Sequence, residues 1–346
     1  MMDIQLIYTS LTRISDLERT PFDITPLPRE AWATGDYVVA QVTNSPITNP
    51  FRVEKANGRM APLLEGDLIV GAFGDRFATL EATGIWSDVQ EDGRMHLLSG
   101  GGMFGLCTSQ SPFLGQPLIT LSYRGHACVE GRKRTMQDYV PAVPAVSYHL
   151  PSIVIIGSSM SSGKTSTARI IIRLLKRMRL RVIGAKLTGA GRYHDVLSMA
   201  DAGADPIFDF VDAGLPSTIV PETEYRRACR HLLSRMAVAE ADLAVIEAGA
   251  SPLEPYNGEA LFDELGEAVR FIVLCASDPY AAVGITTAFG RRPDLITGIA
   301  TNTAAGIALI NRLCDIPALN VLDPRTWEPL FDLLQDRLGT VLPVAT

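Results

Sequence analysis

Apolar residues follow two different patterns along this chain of 346 residues. Up to about residue 140 they come in short runs, at 37–42, 67–72, 77–82 and 118–123. Turn formers punctuate them, as in Asn57-Gly58, Asp92-Gly93 and the run Gly100-Gly101-Gly102. Short runs with frequent turn signals predict many short strands, and hence a small β-barrel or sandwich. No internal repeat is present.

The pattern changes after residue 140. Pro141, Pro144 and Pro151 punctuate a stretch that cannot hold a helix and reads as a linker over 141–151. Beyond it, apolar runs at 152–156, 181–187, 243–246, 271–275 and 295–300 alternate with amphipathic stretches. Residues 165–178 carry Ala168, Ile171, Ile172, Leu175 and Met178 on one helical face, with Arg169, Arg173 and Lys176 elsewhere. Residues 222–239 repeat the helical spacing through Tyr225, Ala228, Leu232 and Met236. Strands alternating with helices predict a parallel sheet covered on both faces, with ligands at the carboxyl ends of its strands. The expected organisation is therefore a smaller β-rich domain over 1–140, a linker over 141–151 and an α/β domain over 152–346.

Composition narrows the class. A hydrophobic share of 47% and a charged share of 20% are those of a soluble globular chain, and no apolar run approaches the ~20 residues of a membrane span. The net charge of −7 argues against a nucleic-acid partner. The start of the chain shows no basic stretch followed by an apolar one, so no secretory signal is expected. The five cysteines are widely spaced and form no CxxC, which predicts reduced thiols in a cytoplasmic protein.

The chemistry centres on residues 157–165, Gly157-Ser158-Ser159-Met160-Ser161-Ser162-Gly163-Lys164-Thr165, with Ser166 following. This segment follows an apolar strand and opens an amphipathic helix, the context of a P-loop. Small residues let the backbone wrap a phosphate, and a helix N-terminus directs amide N–H groups at it. Lys164 supplies a charge for the outer phosphates, and the Thr165 hydroxyl suits a magnesium shell. Five residues separate Gly157 from Gly163.

Three further strand ends face the same crevice. Glu247 leaves the apolar run 243–246, where a carboxylate either orders magnesium or caps the next helix. Lys186, Thr188, Gly189 and Arg192 follow the strand after the P-loop helix. They either bind a substrate carboxylate or transferring phosphate, or form a solvated loop. Asn302, beyond Gly298-Ile299-Ala300-Thr301, either presents its amide to a base edge or simply forms a turn. The histidines lie far apart with no HxH or HExxH, and no GxSxG elbow is present.

With these residues in view, the loop length and the Gly163-Lys164-Thr165 sequence resemble dethiobiotin synthetase. That resemblance covers about 151–325. It implies a substrate lysine at Lys186, followed by Thr188-Gly189. It also implies an acidic magnesium motif at Glu247-Ala248-Gly249, a base-contacting Asn302, and a homodimer in which the partner chain completes the substrate site. Over more of the chain, a β-rich half joined to this P-loop half is similar to a bacterial P-loop family that includes D-glutamate N-acetyltransferase. Asp201-Ala202-Gly203-Ala204 and the run from Asp209 to Gly214 belong to that likeness. It implies that such a loop can hold the phosphates of acetyl-CoA.

Three functions follow. The first is an ATP- and magnesium-dependent ligase or kinase acting on a small carboxylate- or amine-bearing metabolite, with Lys164, Lys186 and Glu247 catalytic. The second is an acyl-CoA-dependent N-acyltransferase that needs no metal. The third is a nucleotide-dependent accessory protein of cofactor assembly. The Thr165 and Glu247 pair suits magnesium and so favours the first and third, while the lack of a Cys/His tract disfavours the third. Without an Asn/Thr-Lys-x-Asp motif, ATP is expected rather than GTP. Strand edges in the N-terminal half, together with the apolar loop 215–220, support the homodimer on separate grounds.

Overall fold

The computed structural model describes residues 5–45, 51–114 and 118–339, so Met1–Ile4 at the start of the chain lie outside it. The chain divides into two compact units. The first holds residues 1–142 with 190–194 and 210–219, and the second holds 143–189, 195–209 and 220–346. The division is therefore not a single cut at the proline-rich stretch.

The first unit is built from β1 (Leu6–Tyr8), β2 (Asp23–Thr25), β3 (Tyr37–Val42), β4 (Arg52–Glu54), β5 (Met60–Pro62) and β6 (Leu68–Phe73). It continues with β7 (Arg76–Phe77), β8 (Ala82–Ile85), β9 (Arg94–Ser99), β10 (Met103–Gln110), β11 (Thr120–Val129) and β12 (Arg132–Lys133). Strand β6 pairs with β3, β3 with β11, β11 with β9, β9 with β10, and β10 returns to β6. The ring is closed, so of the two architectures the strand pattern allowed, the chain adopts the barrel. Closure gives all five strands two neighbours and leaves no open edge within the ring. The closing β6–β10 pair is parallel, and there a Cβ on Gly71 would fall 2.2 Å from the Gly102 carbonyl oxygen. Val38, Ala40, Ile69, Phe73, Met95, Phe104 and Leu121 fill the interior.

The expected strand over 77–82 is instead a tight hairpin. Ala78 N donates to Ala82 O at 3.0 Å, and β7 pairs with β8 across it. Phe77 and Leu80 stay 42% and 62% exposed there, so this apolar run buries too little to hold one straight strand. Below the barrel wall, buried Asp36 accepts from Lys133 Nζ at 2.7 Å, His126 Nε2 at 3.1 Å and Ala33 N at 2.8 Å. All three bonds end on Oδ2, while Oδ1 is buried without a hydrogen-bond partner. The segments 190–194 and 210–219 are tied into this unit by the buried Glu54, whose carboxylate accepts from Tyr193 N at 2.7 Å and His194 N at 2.8 Å. Arg13 also pairs with Asp212 at 2.5 Å, and Gln137 donates to the Ala213 carbonyl at 2.9 Å. Leu215, Pro216, Ser217 and Thr218 are buried in it. The expected exposed apolar face of the loop 215–220 is therefore corrected over 215–218, which are covered within the chain, while Ile219 and Val220 are half-buried.

The second unit is a six-stranded sheet of β13 (Ser152–Gly157), β14 (Val182–Thr188), β15 (Ile207–Asp209), β16 (Leu243–Ala248), β17 (Val269–Cys275) and β18 (Leu295–Thr297). The order is β15-β14-β16-β13-β17-β18, and every pairing is parallel. Its helices are α1 (Lys164–Arg177), α2 (Tyr193–Asp201), α3 (Glu222–Ala237), α4 (Gly258–Leu265), α5 (Pro279–Ala288), α6 (Ala304–Cys314) and α7 (Trp327–Leu338). Ile171, Ile172 and Leu175 of α1 and Leu330, Leu334 and Leu338 of α7 form one core with Ile153, Ile155, Val245 and Val273. Helices α3 and α4 pack together and against β15 and β14, with the Tyr225 hydroxyl donating to Leu187 O at 3.3 Å. Strand β18 stops at Thr297, short of the expected 300, because Gly298 turns left-handed (φ 89°) into a 3-10 turn over Ile299–Thr301. All five cysteines are free thiols, with Cys128, Cys229 and Cys275 buried. Among the described residues, no helix is long and apolar enough to cross a membrane.

Candidate functional site

Strand β13 ends at Gly157, and the chain then turns through Ser158–Gly163 into α1. Two left-handed residues make the turn, Ser161 at φ 62° and Gly163 at φ 105°. Gly163 stands at the N-cap, and no side chain caps α1, so its first amide groups have no side-chain acceptor there. The loop is braced from within: Ser162 Oγ donates to Ser159 O at 3.0 Å. It is also braced from β17, since Ser158 N donates to Cys275 O at 3.0 Å and Ser277 N donates to Ser158 Oγ at 3.0 Å. Asp278 caps α5 through the amides of Tyr280 and Ala281.

Lys164 is buried, and its ammonium donates to the Ser159 carbonyl at 2.6 Å. The side chain thus folds back over its own loop. A Cβ on Gly157 would lie 2.7 Å from Lys164 Nζ, so glycine there makes room for the lysine. Burial pushes the Lys164 ammonium below its ordinary value, and Glu247 opposes that shift.

Thr165 and Glu247 meet across the sheet. The Thr165 hydroxyl lies 3.1 Å from Glu247 Oε2 and 3.4 Å from Oε1. Glu247 is buried on β16 in register with Ile155, on the face that α1 covers. Burial and the neighbouring Asp195 raise its carboxyl above the usual range, against the pull of Lys186, Lys164 and Thr165. The next helix, α4, starts at Gly258 with Asn257 at its N-cap, so Glu247 does not cap it. A hydroxyl and one carboxylate are hard oxygen donors of the type magnesium takes, with phosphate and water completing its shell. Among the described residues no cluster of three or more His, Cys, Asp or Glu is placed to hold a metal ion.

Lys186 lies beside this pair. On β14 it is in register with Glu247 of β16 on one side and Asp209 of β15 on the other. Its ammonium is 2.5 Å from Asp195 Oδ2. Burial works to lower its pKa, but Asp195, Asp209 and Glu247 together outweigh that and hold it above the ordinary lysine value. Thr188 and Gly189 follow at the strand end, and the Thr188 carbonyl accepts from Gly249 N at 2.9 Å. Arg192 is exposed and belongs to the first unit. Asn302 is exposed, just past the 3-10 turn. Gly298, which begins that turn, approaches the P-loop: a Cβ there would fall 2.4 Å from Ser162 O. Ser166 is exposed on the first turn of α1.

Asp195 and Asp209 are the site residues that motif reading passed over. Asp209 opens the run to Gly214 that carries the second resemblance, but neither residue was assigned a role at the site. Only strand register and the approach of α2 place them beside Lys186, although a carboxylate one residue past an apolar run, as at Asp209, was a visible hint.

The parallel sheet and its strand-to-helix loop define a P-loop α/β nucleotide-binding fold. No family model matches the chain, and no curated protein matches it. Among solved structures, it is similar to the hydrogenase maturation factor HypB from Archaeoglobus fulgidus, at 15% identity and a TM-score of 0.37, over 55% of this chain and 91% of that one. It is similar to chloroplast FtsY from Physcomitrella patens at 14% identity and a TM-score of 0.36, over 53% of this chain and 63% of that one. A DUF1611 family protein from Anabaena variabilis follows at 18% identity and a TM-score of 0.34, over 57% of this chain and 60% of that one. The chain thus spans less than two thirds of the length of the last two. Likenesses this remote add nothing to what the chain's own strand order and loop define.

Proposed function

We propose that the second unit binds ATP with magnesium at the P-loop and transfers or activates a phosphoryl group for a small acceptor, as a ligase or kinase does. The observation that carries this reading is the Thr165–Glu247 pair at 3.1 Å, set at the mouth of a loop whose helix has no side-chain cap. Residues 157–163 and Ser166 surround the phosphates, and Lys164 swings from Ser159 O to the outer ones. Thr165 and Glu247 hold the cation, whose part when bound is to neutralise phosphate charge. Lys186 supplies a fixed positive charge beside the transferring group, with Thr188 and Gly189 shaping the acceptor side. Asn302 is assigned to the base. The acceptor is a small metabolite bearing a carboxylate or an amine. The dethiobiotin synthetase resemblance supports a homodimer, and five free thiols suit a cytoplasmic setting.

Calorimetric titration with Mg-ATP, with Mg-GTP and with acetyl-CoA tests the reading. Magnesium-dependent ATP binding is expected. Metal-independent acetyl-CoA binding with no response to ATP replaces it with N-acyl transfer, the activity within the other resembling family. Light scattering at micromolar concentration tests the dimer, which a mass of one chain with and without nucleotide removes.

A further inference from the structure

Lys186 is built into its place with unusual completeness for a strand-end lysine. Its side chain is buried, and the two strands beside β14 put Glu247 and Asp209 at the same level of the sheet. In a parallel pair, residues in register share a face, so both carboxylates flank the lysine on its own side. Two glycines clear the path of its stem. A Cβ on Gly249 would fall 2.7 Å from Lys186 Cε, and one on Gly189 would fall 3.3 Å from the same atom. These features set the direction of the stem but not the last torsion, which decides where the ammonium stands.

That torsion is answered from outside the sheet. Asp195 reaches in from the first turn of α2 to 2.5 Å from Lys186 Nζ. Its side chain is 18% exposed against 5% for the lysine, so Asp195 sits on the solvent side of the ammonium. A charged hydrogen bond of this length is directional and stronger than a neutral one.

We propose that Asp195 is the positioning residue for Lys186: it holds the ammonium at one point beside the Thr165–Glu247 pair, and acts on turnover only through that lysine. The part concerning turnover rests on the nucleotide-dependent transfer reading above, whereas the positioning itself does not. In this role Asp195 contributes no contact to the nucleotide. Its loss should lower kcat while leaving Mg-ATP affinity where it was, and it should matter only while Lys186 is present.

The test uses the full chain. It contains five lysines (Lys55, Lys133, Lys164, Lys176 and Lys186), so side-chain ammonium signals in 15N-labelled protein are few enough to assign by Lys186→Met. In the native chain Lys186 should give a slowly exchanging ammonium signal. Asp195→Asn, nearly the same size, should shift that signal and speed its exchange, and Asp195→Glu should restore it in part. A Lys186 signal unchanged by Asp195→Asn overturns the proposal whether or not the protein turns over ATP. For turnover, Asp195→Asn and Lys186→Met should each lower kcat for phosphate release from Mg-ATP by roughly ten- to a hundredfold. The double variant should be no slower than Lys186→Met alone. Additive losses in the double variant, or a weakened Mg-ATP affinity in Asp195→Asn, assign Asp195 a direct role instead and overturn the proposal. If wild type neither binds nor turns over Mg-ATP, the nucleotide reading fails by itself, and the ammonium signal still decides the positioning.

Discussion

The Thr165 hydroxyl and the Glu247 carboxylate come within 3.1 Å of each other although 82 residues separate them in the chain. The contact exists because β13 and β16 are adjacent and parallel, so the loop leaving one and the carboxylate ending the other open at the same edge. Nucleotide chemistry at this edge makes specific demands on individual residues.

Lys164→Ala should weaken Mg-ATP binding by roughly ten- to a hundredfold or more, the worth of one charged hydrogen bond. The lysine is buried, but removing it also removes the burial that depresses its pKa. The melting temperature should therefore stay within about 3 °C of wild type. Calorimetry and a thermal melt on the same sample check both halves. Unchanged affinity in a folded variant removes the P-loop reading.

Glu247→Gln keeps the shape of the side chain and deletes its charge. Turnover of Mg-ATP should fall roughly a hundred- to a thousandfold, with nucleotide affinity within about threefold of wild type and the magnesium midpoint displaced upwards. Steady-state phosphate release across a magnesium titration gives all three values. Wild-type turnover without any magnesium dependence points to acyl transfer in place of phosphoryl transfer.

Gly298→Ala tests whether the turn after β18 supports the loop. Its left-handed backbone (φ 89°) disfavours a side chain, and the new Cβ would press on Ser162 O at 2.4 Å. A stability loss of roughly 1–3 kcal/mol is expected, together with weaker Mg-ATP binding because Ser162 belongs to the loop. Denaturant melts and calorimetry report the two effects. A normal affinity shows that the loop keeps its shape without this neighbour.

Asp242 offers a pH test away from the site. Its carboxylate accepts from Arg181 N at 2.7 Å and Arg181 Nη2 at 2.9 Å, and these contacts lower its pKa below the ordinary 3.8. A depressed folded value means the stabilisation is present above about pH 3.8 and disappears as pH falls through the folded value. Asp242→Asn should therefore melt slightly below wild type at pH 7 and coincide with it in strong acid. Melts at several pH values check this, and a gap that widens on acidification contradicts it.

Much of the second unit was legible because its signals are local. The loop 157–165 carries its glycines, lysine and threonine consecutively, and α1 shows its buried face by spacing alone. Asp195 and Asp209 were not legible as partners of Lys186, because a sheet row joins residues such as Lys186 and Asp209 that share no sequence pattern. In the first unit, short apolar runs between turn residues announced strands but not their closure, since nothing in Leu68–Phe73 or Met103–Gln110 names the other as partner. The run 77–82 misled because hairpins normally advertise themselves with glycine or asparagine, and Thr79, Leu80 and Glu81 make this turn without either. The loop 215–220 looked exposed because it connects two elements. Its burial depends on contacts with residues distant in the chain.

The first unit's discontinuity has a consequence for biosynthesis. When the first 142 residues have left the ribosome, the amides of Tyr193 and His194 that satisfy the buried Glu54, and the carboxylate that pairs with Arg13, have not yet been made. The barrel strands can pair at that stage, but Glu54 is left as a charge with neither of these donors. The unit is complete only once translation has passed residue 219, by which time β13, α1 and β14 of the other unit have also emerged. A gene cut at the proline-rich stretch therefore yields an N-terminal product lacking these stitches, and coexpressing the two pieces is the natural way to restore it.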